Sequence, residues 1–191
     1  MRVYFDNAAT TALDPEVFES MKPLMLNMYG NPSSTHSHGR EARAKVEYAR
    51  RTVAELLNTA PSEIFFTSGG TEGDNTAIRQ SVEAYDLKHL ITTPIEHKAV
   101  IQTAEKLEAQ GRIKLHYLDL DAQGHIDHDQ LEQLLKANDK SIVSLMHANN
   151  EIGTMHDIAT IGEIADAHGA VFHSDTVQTM GHFSHDTQSL K

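Results

Sequence analysis

The chain has 191 residues and a formal net charge of −11, from 27 acidic against 16 basic side chains, and it contains no cysteine. This charge disfavours nucleic acid and anionic membrane surfaces as partners, and the missing cysteines exclude disulfides, thiolate metal sites and a thiol nucleophile in this chain. No apolar run has membrane-spanning length and the start does not resemble a signal peptide, so we expect a cytoplasmic protein.

Residues 1–14 are predicted to form an N-terminal arm, because the segment is small, polar and without a period. A helix is expected next, since Asp14 can cap it and Pro15 suits its first position. Apolar residues then recur at spacings of three and four and predict one buried face: Val17, Met21, Leu24, Met25 and Met28. Residues 29–39 carry Gly, Asn-Pro and hydroxyl side chains, which predict a long and functional loop.

A second amphipathic helix is predicted after this loop, with arginines and lysines on its solvated faces. Strands and helices alternate from residue 63 onward. Strands are predicted at 63–67, 89–93, 113–118, 141–147 and 170–174, and helices at 71–84, 97–110, 127–137 and 157–168. This alternation predicts a three-layer α/β/α architecture with a mostly parallel sheet.

The segment between the first predicted strand and its helix has the features of an anion site. Gly69 and Gly70 allow the chain to reverse, Thr71 can cap the helix and Asp74 completes a short capping box. Free N–H groups at such a helix start can bind a phosphate, although an ordinary strand-to-helix connection is the alternative. Neither a P-loop nor a dinucleotide fingerprint is present. Glu72 and Asp74 would repel a phosphate, so we expect a cation from elsewhere.

Polar residues follow the predicted strands at their carboxyl ends, where open α/β sheets bind ligands. They are Gly70 and Thr71, then Glu96 and His97, then Asn149, Asn150 and Glu151, and finally Asp175 and Gln178. Simpler interpretations exist, because Asp175 or His97 could cap a helix and Asn150 could stabilise a turn. His173 and Asp175 could also hold a metal ion, but we predict no metal site.

Together these side chains suit pyridoxal 5′-phosphate better than a metal ion. The cofactor requires an anion site, a carboxylate at its ring nitrogen, a donor to its phenolic oxygen and a group stacked on its ring. Gly70 with Thr71, Asp175, Gln178 or Asn150, and His97 could supply these in that order.

Six motifs in this order resemble the cysteine desulfurases, a family of fold-type I pyridoxal phosphate enzymes in the class V aminotransferase-like group. The motifs are Asp6-Asn7-Ala8-Ala9-Thr10-Thr11, Gly30-Asn31-Pro32-Ser33-Ser34, Phe66-Thr67-Ser68-Gly69-Gly70-Thr71-Glu72, Glu96-His97-Lys98-Ala99-Val100, Asn149-Asn150-Glu151-Ile152-Gly153 and His173-Ser174-Asp175 with Gln178. By this resemblance, Gly70 and Thr71 hold the phosphate and Asp175 pairs with the ring nitrogen. His97 is then the catalytic residue that stacks on the ring and assists proton transfer, while Asn150 and Gln178 contact ring substituents.

The resemblance implies removal of sulfur from L-cysteine, giving alanine and an enzyme persulfide that passes sulfur to an acceptor protein, as in iron–sulfur cluster assembly. It also implies a homodimer with sites at the subunit interface. Residues 15–60 would contribute to a small domain and an active-site loop. Residues 61–191 would form the N-terminal part of the large cofactor-binding domain.

Two parts of the family pattern have no match in the sequence. The Ser-x-His-Lys segment, whose lysine forms the Schiff base, differs from Gln188-Ser189-Leu190-Lys191, and the acceptor cysteine has no counterpart. We therefore expect an N-terminal half that is inactive alone and requires a missing C-terminal half or a second chain. The alternatives are another fold-type I lyase or aminotransferase, similar to selenocysteine lyase or kynureninase, and a non-catalytic scaffold that retains the half fold.

Overall fold

The first helix begins as predicted, because the Asp14 carboxylate accepts hydrogen bonds from the backbone N–H groups of Glu16 and Val17 at 2.7 and 3.3 Å. This helix, α1, spans Pro15–Asn27 in a computed structural model that describes residues 1–190. The chain folds as two compact units, Met1–Phe65 and a second unit that begins at Phe66. The three-part division expected from the sequence stays a prediction.

The predicted buried face of α1 is wrong. None of its 13 residues is buried, and Val17, Met21 and Leu24 are each more than 40% exposed. Met25 is also exposed, and Met28, which follows the helix, is half-buried. Helical periodicity identifies an apolar face but does not identify what covers it. In the first unit this face stays open.

The second helix, α2, spans Ser37–Leu56 and holds the preceding loop against its first turns. His36 caps the helix, since its Nδ1 accepts from the N–H of Gly39 at 3.3 Å. Arg43 donates to the carbonyl of Pro32 at 2.8 Å, and Arg40 donates to the carbonyl of Thr35. Both arginines are exposed, as the predicted solvated face requires, and they also hold the loop against the helix.

Gly39 lies where the loop and α2 come closest. A Cβ at this position would lie 2.4 Å from the carbonyl oxygen of Ser34 and 2.7 Å from that of Asn31. Both distances are shorter than van der Waals contact, so a side chain would force the loop away from the helix.

We expect Gly39→Ala to lower the opening free energy of α2 by about 1–3 kcal/mol, the usual cost of overpacking. Hydrogen exchange of the α2 backbone amides measures this quantity. The matched control is Gly73→Ala, where the nearest atom to a new Cβ is the Thr67 hydroxyl at 3.7 Å. Unchanged α2 protection in Gly39→Ala would contradict the close approach.

The remaining elements follow the predicted alternation closely. Their bounds are Pro61–Glu63 for a short 3₁₀ helix, α3 Gly70–Ala84, β1 His89–Thr92, α4 Lys98–Ala109, β2 Lys114–Tyr117, α5 His128–Ala137, β3 Ser141–Ser144, α6 Ile158–Ala167 and β4 Val171–His173. None of the helices in the described part of the chain is long and apolar enough to span a membrane.

The predicted strand at 63–67 is wrong. Residues 64–67 have no strand assignment, and the sheet of the described residues consists of β1 to β4. Phe65 is 81% exposed. A strand requires a neighbour that completes its hydrogen-bond ladder, so an apolar β-branched composition was not sufficient here.

The four strands form a sheet in the order β2-β1-β3-β4, and all three pairings are parallel. Leu90 and Ile142 belong to a core cluster with residues of α3 and α4, including Ile78. Ile91 and Val143 point to the opposite face and belong to a cluster with residues of α5 and α6. Helices therefore cover both faces, which confirms the three-layer α/β/α prediction.

Candidate active site

The strand order creates a crevice between the carboxyl ends of β1 and β3. The chain leaves β1 for β2 on one side and returns to β3 on the other side, and ligands of open α/β sheets bind at such a reversal. Two hydrogen bonds join the segments that follow these strands. Glu96 Oε1 accepts from the N–H of Met146 at 2.8 Å, and Asn149 Nδ2 donates to the carbonyl of Ile95 at 2.7 Å.

Asp175 lies at the same edge of the sheet, two residues after β4. Its carbonyl accepts from the N–H of His147 at 2.9 Å, which extends the parallel contact of β3 with β4. Its Oδ1 accepts from the N–H of Val177 at 2.9 Å, which begins the turn that carries the half-buried Gln178. A turn follows Asp175 where the alternative interpretation expected it to cap a helix, and this bond occupies only one of its two carboxylate oxygens.

Three side chains converge in this crevice. One nitrogen or oxygen atom from each of Asp74, His97 and Asp175 lies within 4.8 Å of the other two. Asp74 and Asp175 are only 6% and 9% exposed, whereas His97 is open to solvent. Two buried carboxylates below an accessible imidazole can enclose a positively charged N–H group.

His97 also caps α4. Its Nδ1 accepts from the N–H of Ala99 at 3.2 Å, so the neutral ring carries its proton on Nε2. The capping interpretation and the site interpretation of His97 are therefore both compatible with its position. The cap fixes the ring and leaves Nε2 as the free polar atom.

Asp74 was assigned to a capping box, and that prediction is wrong. It lies four residues before Ile78 and eight before Val82, and all three are buried on one face of α3. Its Oδ1 lies 3.6 Å from Nε2 of His173. The 74–78–82 spacing, continuing the buried apolar face, was the signal in the sequence that could have placed Asp74 in the site.

His173 contacts Asp74 and helps to fix its position in the site. Its Nδ1 forms a hydrogen bond with the hydroxyl of Ser144 at 2.9 Å, while its Nε2 faces Asp74. Both ring nitrogens are therefore engaged, and His173 does not join Asp175 in the three-residue convergence. This geometry disfavours the pairing of His173 with Asp175 around a metal ion.

Burial raises the pKa of Asp175, and the negative charge of Asp74 raises it further. The hydrogen bond from Val177 and the charges of His173 and His97 act in the opposite direction. The pKa of Glu96 rises to about 8, mainly through burial. Three acids thus share this edge of the sheet, and one of them is Glu96, which the sequence placed here without a role.

The start of α3 differs from the prediction. The cap is Gly69, which provides no side-chain bond, and Thr71 lies within the first turn of the helix. Glu72 instead reaches back and accepts from the N–H and the hydroxyl of Ser68 at 2.7 and 2.6 Å. These bonds lower the pKa of Glu72, so it stays charged beside the predicted phosphate site.

The glycine turn nevertheless approaches the Asp175 segment closely. A Cβ at Gly70 would lie 2.9 Å from Cγ2 of Val177, so the helix start packs against the turn after Asp175 through bare backbone. Thr71 and His97 also line a common cleft of about 360 Å³ between α3 and α4.

The cleft between α3 and α4 is basic. Arg79, Lys98 and Lys106 line it, and among the described residues no acidic side chain does. The unit that begins at Phe66 therefore contains cations in the cleft that Thr71 lines, whereas the sequence analysis expected a cation from elsewhere. An anionic group that enters from this side would meet three positive charges and would gain favourable electrostatic energy.

Of the predicted site residues, the structure brings His97 and Asp175 into the convergence, and Asn150 makes its side-chain contact elsewhere. Its Nδ2 donates to Glu151 at 2.9 Å, and it is the neighbouring Asn149 that ties the loop to the site. The loop conformation selects between these adjacent amides: Asn149 Oδ1 also accepts from the N–H groups of Glu151 and Ile152. A sequence cannot distinguish two consecutive asparagines on this basis.

The residues present fit pyridoxal 5′-phosphate. Asp175 and Asp74 form an acidic floor for a protonated ring nitrogen, and the exposed His97 can lie against a flat ring. The close backbone at Gly70 and the basic cleft beside Thr71 suit the phosphate, although Glu72 opposes it. This combination of donors and charges is better matched to the cofactor than to a metal ion.

Comparison with known proteins gives the family. The sequence model of the aminotransferase class-V family matches residues 3–191. The chain belongs to this family. Cysteine desulfurase IscS of Dictyoglomus turgidum is 44% identical in an alignment 190 residues long that covers 98% of this chain and 48% of that protein. Cysteine desulfurase IscS of Pseudomonas putida is 44% identical in an alignment 194 residues long, gaps included, that covers 99% of this chain and 48% of that protein.

Solved structures of similar proteins agree in fold. A structure described as a NifS-like protein matches with a TM-score of 0.93 at 40% identity. The match covers all of this chain and 53% of the other chain. A structure described as SspA in complex with cysteine matches with a TM-score of 0.90 at 36% identity. That match covers 98% of this chain and 54% of the other chain. The fold-type I assignment is thus confirmed. The chain spans about half the length of the relatives that it matches.

We expect Asp74→Asn to lower the pKa of Asp175, because the negative charge of Asp74 raises it. Carbon-13 NMR titration of the Asp175 carboxyl group measures the change. The control is Asp86→Asn, at an exposed acid that pairs with Lys88 and Lys140. An Asp175 titration that is the same in wild type and Asp74→Asn would show that the two carboxylates do not interact.

Proposed function

We propose that this class-V chain forms most of the pyridoxal phosphate site of a cysteine desulfurase. The observation that carries the proposal is the convergence of Asp74, His97 and Asp175 at the strand reversal of a fold-type I sheet. The identity of 44% to named cysteine desulfurases over nearly the whole chain supports the same function.

Each residue has a task that follows from its position. Asp175 holds the ring nitrogen in its protonated form, since it is a buried carboxylate with one oxygen still available. Asp74 adds a second negative charge below it. His97 lies against the ring, and its Nε2 can give or take a proton because Nδ1 is fixed by the α4 cap.

Gly70 and Thr71 would receive the phosphate, with the basic cleft supplying the favourable charge. Gln178 lies in the turn after Asp175 and would contact a ring substituent. Asn150 would do so only after a change in its loop, because its amide donates to Glu151. When bound, the cofactor withdraws electrons from the α-carbon of the substrate and so weakens the bonds to it.

The proposed activity is release of sulfur from L-cysteine, with alanine and a persulfide as products and a sulfur-acceptor protein as the recipient. It requires a lysine and a cysteine from a C-terminal half or second chain. The open apolar face of α1 supports such a partner, because exposed apolar faces mark interaction surfaces. We also propose a homodimer and a cytoplasmic location, in line with the family resemblance.

The test combines this chain with the C-terminal half of the Dictyoglomus turgidum relative, by co-expression. We expect the pair to bind pyridoxal phosphate, with visible absorbance, and to form alanine from L-cysteine, with sulfide released when an added dithiol reduces the persulfide, whereas this chain alone forms neither product. Asp175→Asn in the pair should lower kcat by about 100-fold, the scale of losing one charge-stabilising group. Asp129→Asn, at an exposed acid in the first turn of α5, is the matched control.

Assays of the same pair with selenocysteine and kynurenine separate the alternative enzyme functions. Preference for selenocysteine or kynurenine over cysteine would replace desulfurase with the corresponding lyase. A pair that folds but binds no cofactor, while the N-terminal half of the relative does so with the same partner, would favour the non-catalytic scaffold and refute the proposal.

A further inference from the structure

Glu96 has an unusual environment for an acidic residue. The residue is 5% exposed, and its Oε1 accepts from the N–H of Met146 at 2.8 Å and from the hydroxyl of Thr93 at 3.2 Å. Its Oε2 is fully buried and has no hydrogen-bond partner among the described residues. Burying an ionised carboxylate with one unsatisfied oxygen is strongly unfavourable, whereas the protonated form buries no net charge.

The charges that face Glu96 come from two other elements. Asp74 on α3 and Asp175 after β4 are both acidic and both disfavour ionisation of Glu96. The hydrogen bonds from Met146 and Thr93 favour ionisation but do not outweigh burial, so the pKa rises from 4.5 to about 8.

The two histidines of the site, His97 and His173, act on the neighbouring acid, since they lower the pKa of Asp175. They therefore favour ionisation of Asp175. The surroundings of these carboxyl groups therefore differ: Asp175 has two histidines nearby, and Glu96 has the deepest burial and an unsatisfied oxygen.

The geometry connects Glu96 to His97. Glu96 immediately precedes the residue that caps α4, and its bond to Thr93 closes the turn between β1 and that helix. Its bond to Met146 fastens the turn to the end of β3. These two bonds hold the backbone that immediately precedes His97.

We propose that Glu96 is a positioning residue that acts as a neutral carboxylic acid. It fixes the turn that carries His97 to the end of β3, and it does so without adding a third negative charge beside Asp74 and Asp175. A charged Glu96 would make ionisation of Asp175 harder. This inference rests on the proposed function for the role of the site, but its two main tests use neither cofactor nor substrate.

The first test compares wild type with Glu96→Gln, which has nearly the same shape, keeps an acceptor for Met146 and is always neutral. The folded protein holds a proton on Glu96 up to about pH 8, whereas the unfolded chain loses it near pH 4.5. The unfolded state then binds fewer protons, so stability falls as pH rises between these values. We expect denaturant unfolding to show wild type losing stability relative to Glu96→Gln across this range.

Infrared spectroscopy provides a direct measurement of the same state. We expect a carbonyl band of a protonated carboxyl group in wild type at pH 7 that is absent from Glu96→Gln. An absent band, or a stability difference that does not change with pH, would overturn the neutral-acid assignment even if Glu96→Ala failed to fold.

The second test reads the position of His97. We expect the imidazole resonances of His97 and their titration to shift in Glu96→Ala and to remain near wild type in Glu96→Gln, whereas Glu83→Ala, at an exposed acid on α3, changes neither. A role in stability alone would leave the titration of His97 unchanged. Equal shifts in the Gln and Ala variants, or none in either, would overturn the positioning role.

A third measurement links the residue to the cofactor. In the co-expressed pair, we expect Glu96→Ala to weaken pyridoxal phosphate binding on the order of tenfold through misplacement of His97, and Glu96→Gln to restore it. Failure of wild type to bind cofactor would refute the proposed function, and the infrared and NMR results would still decide the role of Glu96.

Discussion

The parallel pairing of β1 with β3 and of β3 with β4 is the constraint on which the site depends. In parallel strands the carboxyl ends meet at one edge, and the register that pairs Ser144 with His173 sets how far each following segment extends. Asp175 and the 93–97 turn come together because of this register. A slip of one residue would turn the side chains of β4 to the other face and remove the His173 support from Asp74.

The sequence was sufficient for the parts of the fold that depend on local chemistry and buried alternation. Asp14 and Pro15 defined a helix start, and the strand–helix alternation from residue 63 onward predicted the three layers. It was not sufficient where a neighbour decides the outcome. Residues 64–67 have a strand composition but no place in the sheet, and the apolar face of α1 has no cover in its unit.

The site residues also divide into those that the local sequence predicted and those that depend on neighbouring elements. His97 and Asp175 were predictable because they follow strands, and strand ends converge. Asp74 was harder to assign, because a carboxylate in the first turn of a helix is normally explained by capping. Only the packing of α3 against the sheet turns it toward His173, and only burial distinguishes Glu96 from the many exposed acids of the chain.

The uncovered α1 face has a consequence for the behaviour of the free chain in solution. Solvent-exposed apolar side chains favour self-association and binding by chaperones, and Met25 and Leu26 on α1 are each 71% exposed. The net charge of −11 opposes this by mutual repulsion between molecules, but repulsion is screened as ionic strength rises. The colloidal stability of the chain without a partner therefore depends on two opposing effects, hydrophobic association through the apolar face of α1 and electrostatic repulsion between whole molecules. High salt weakens the repulsion and so favours aggregation.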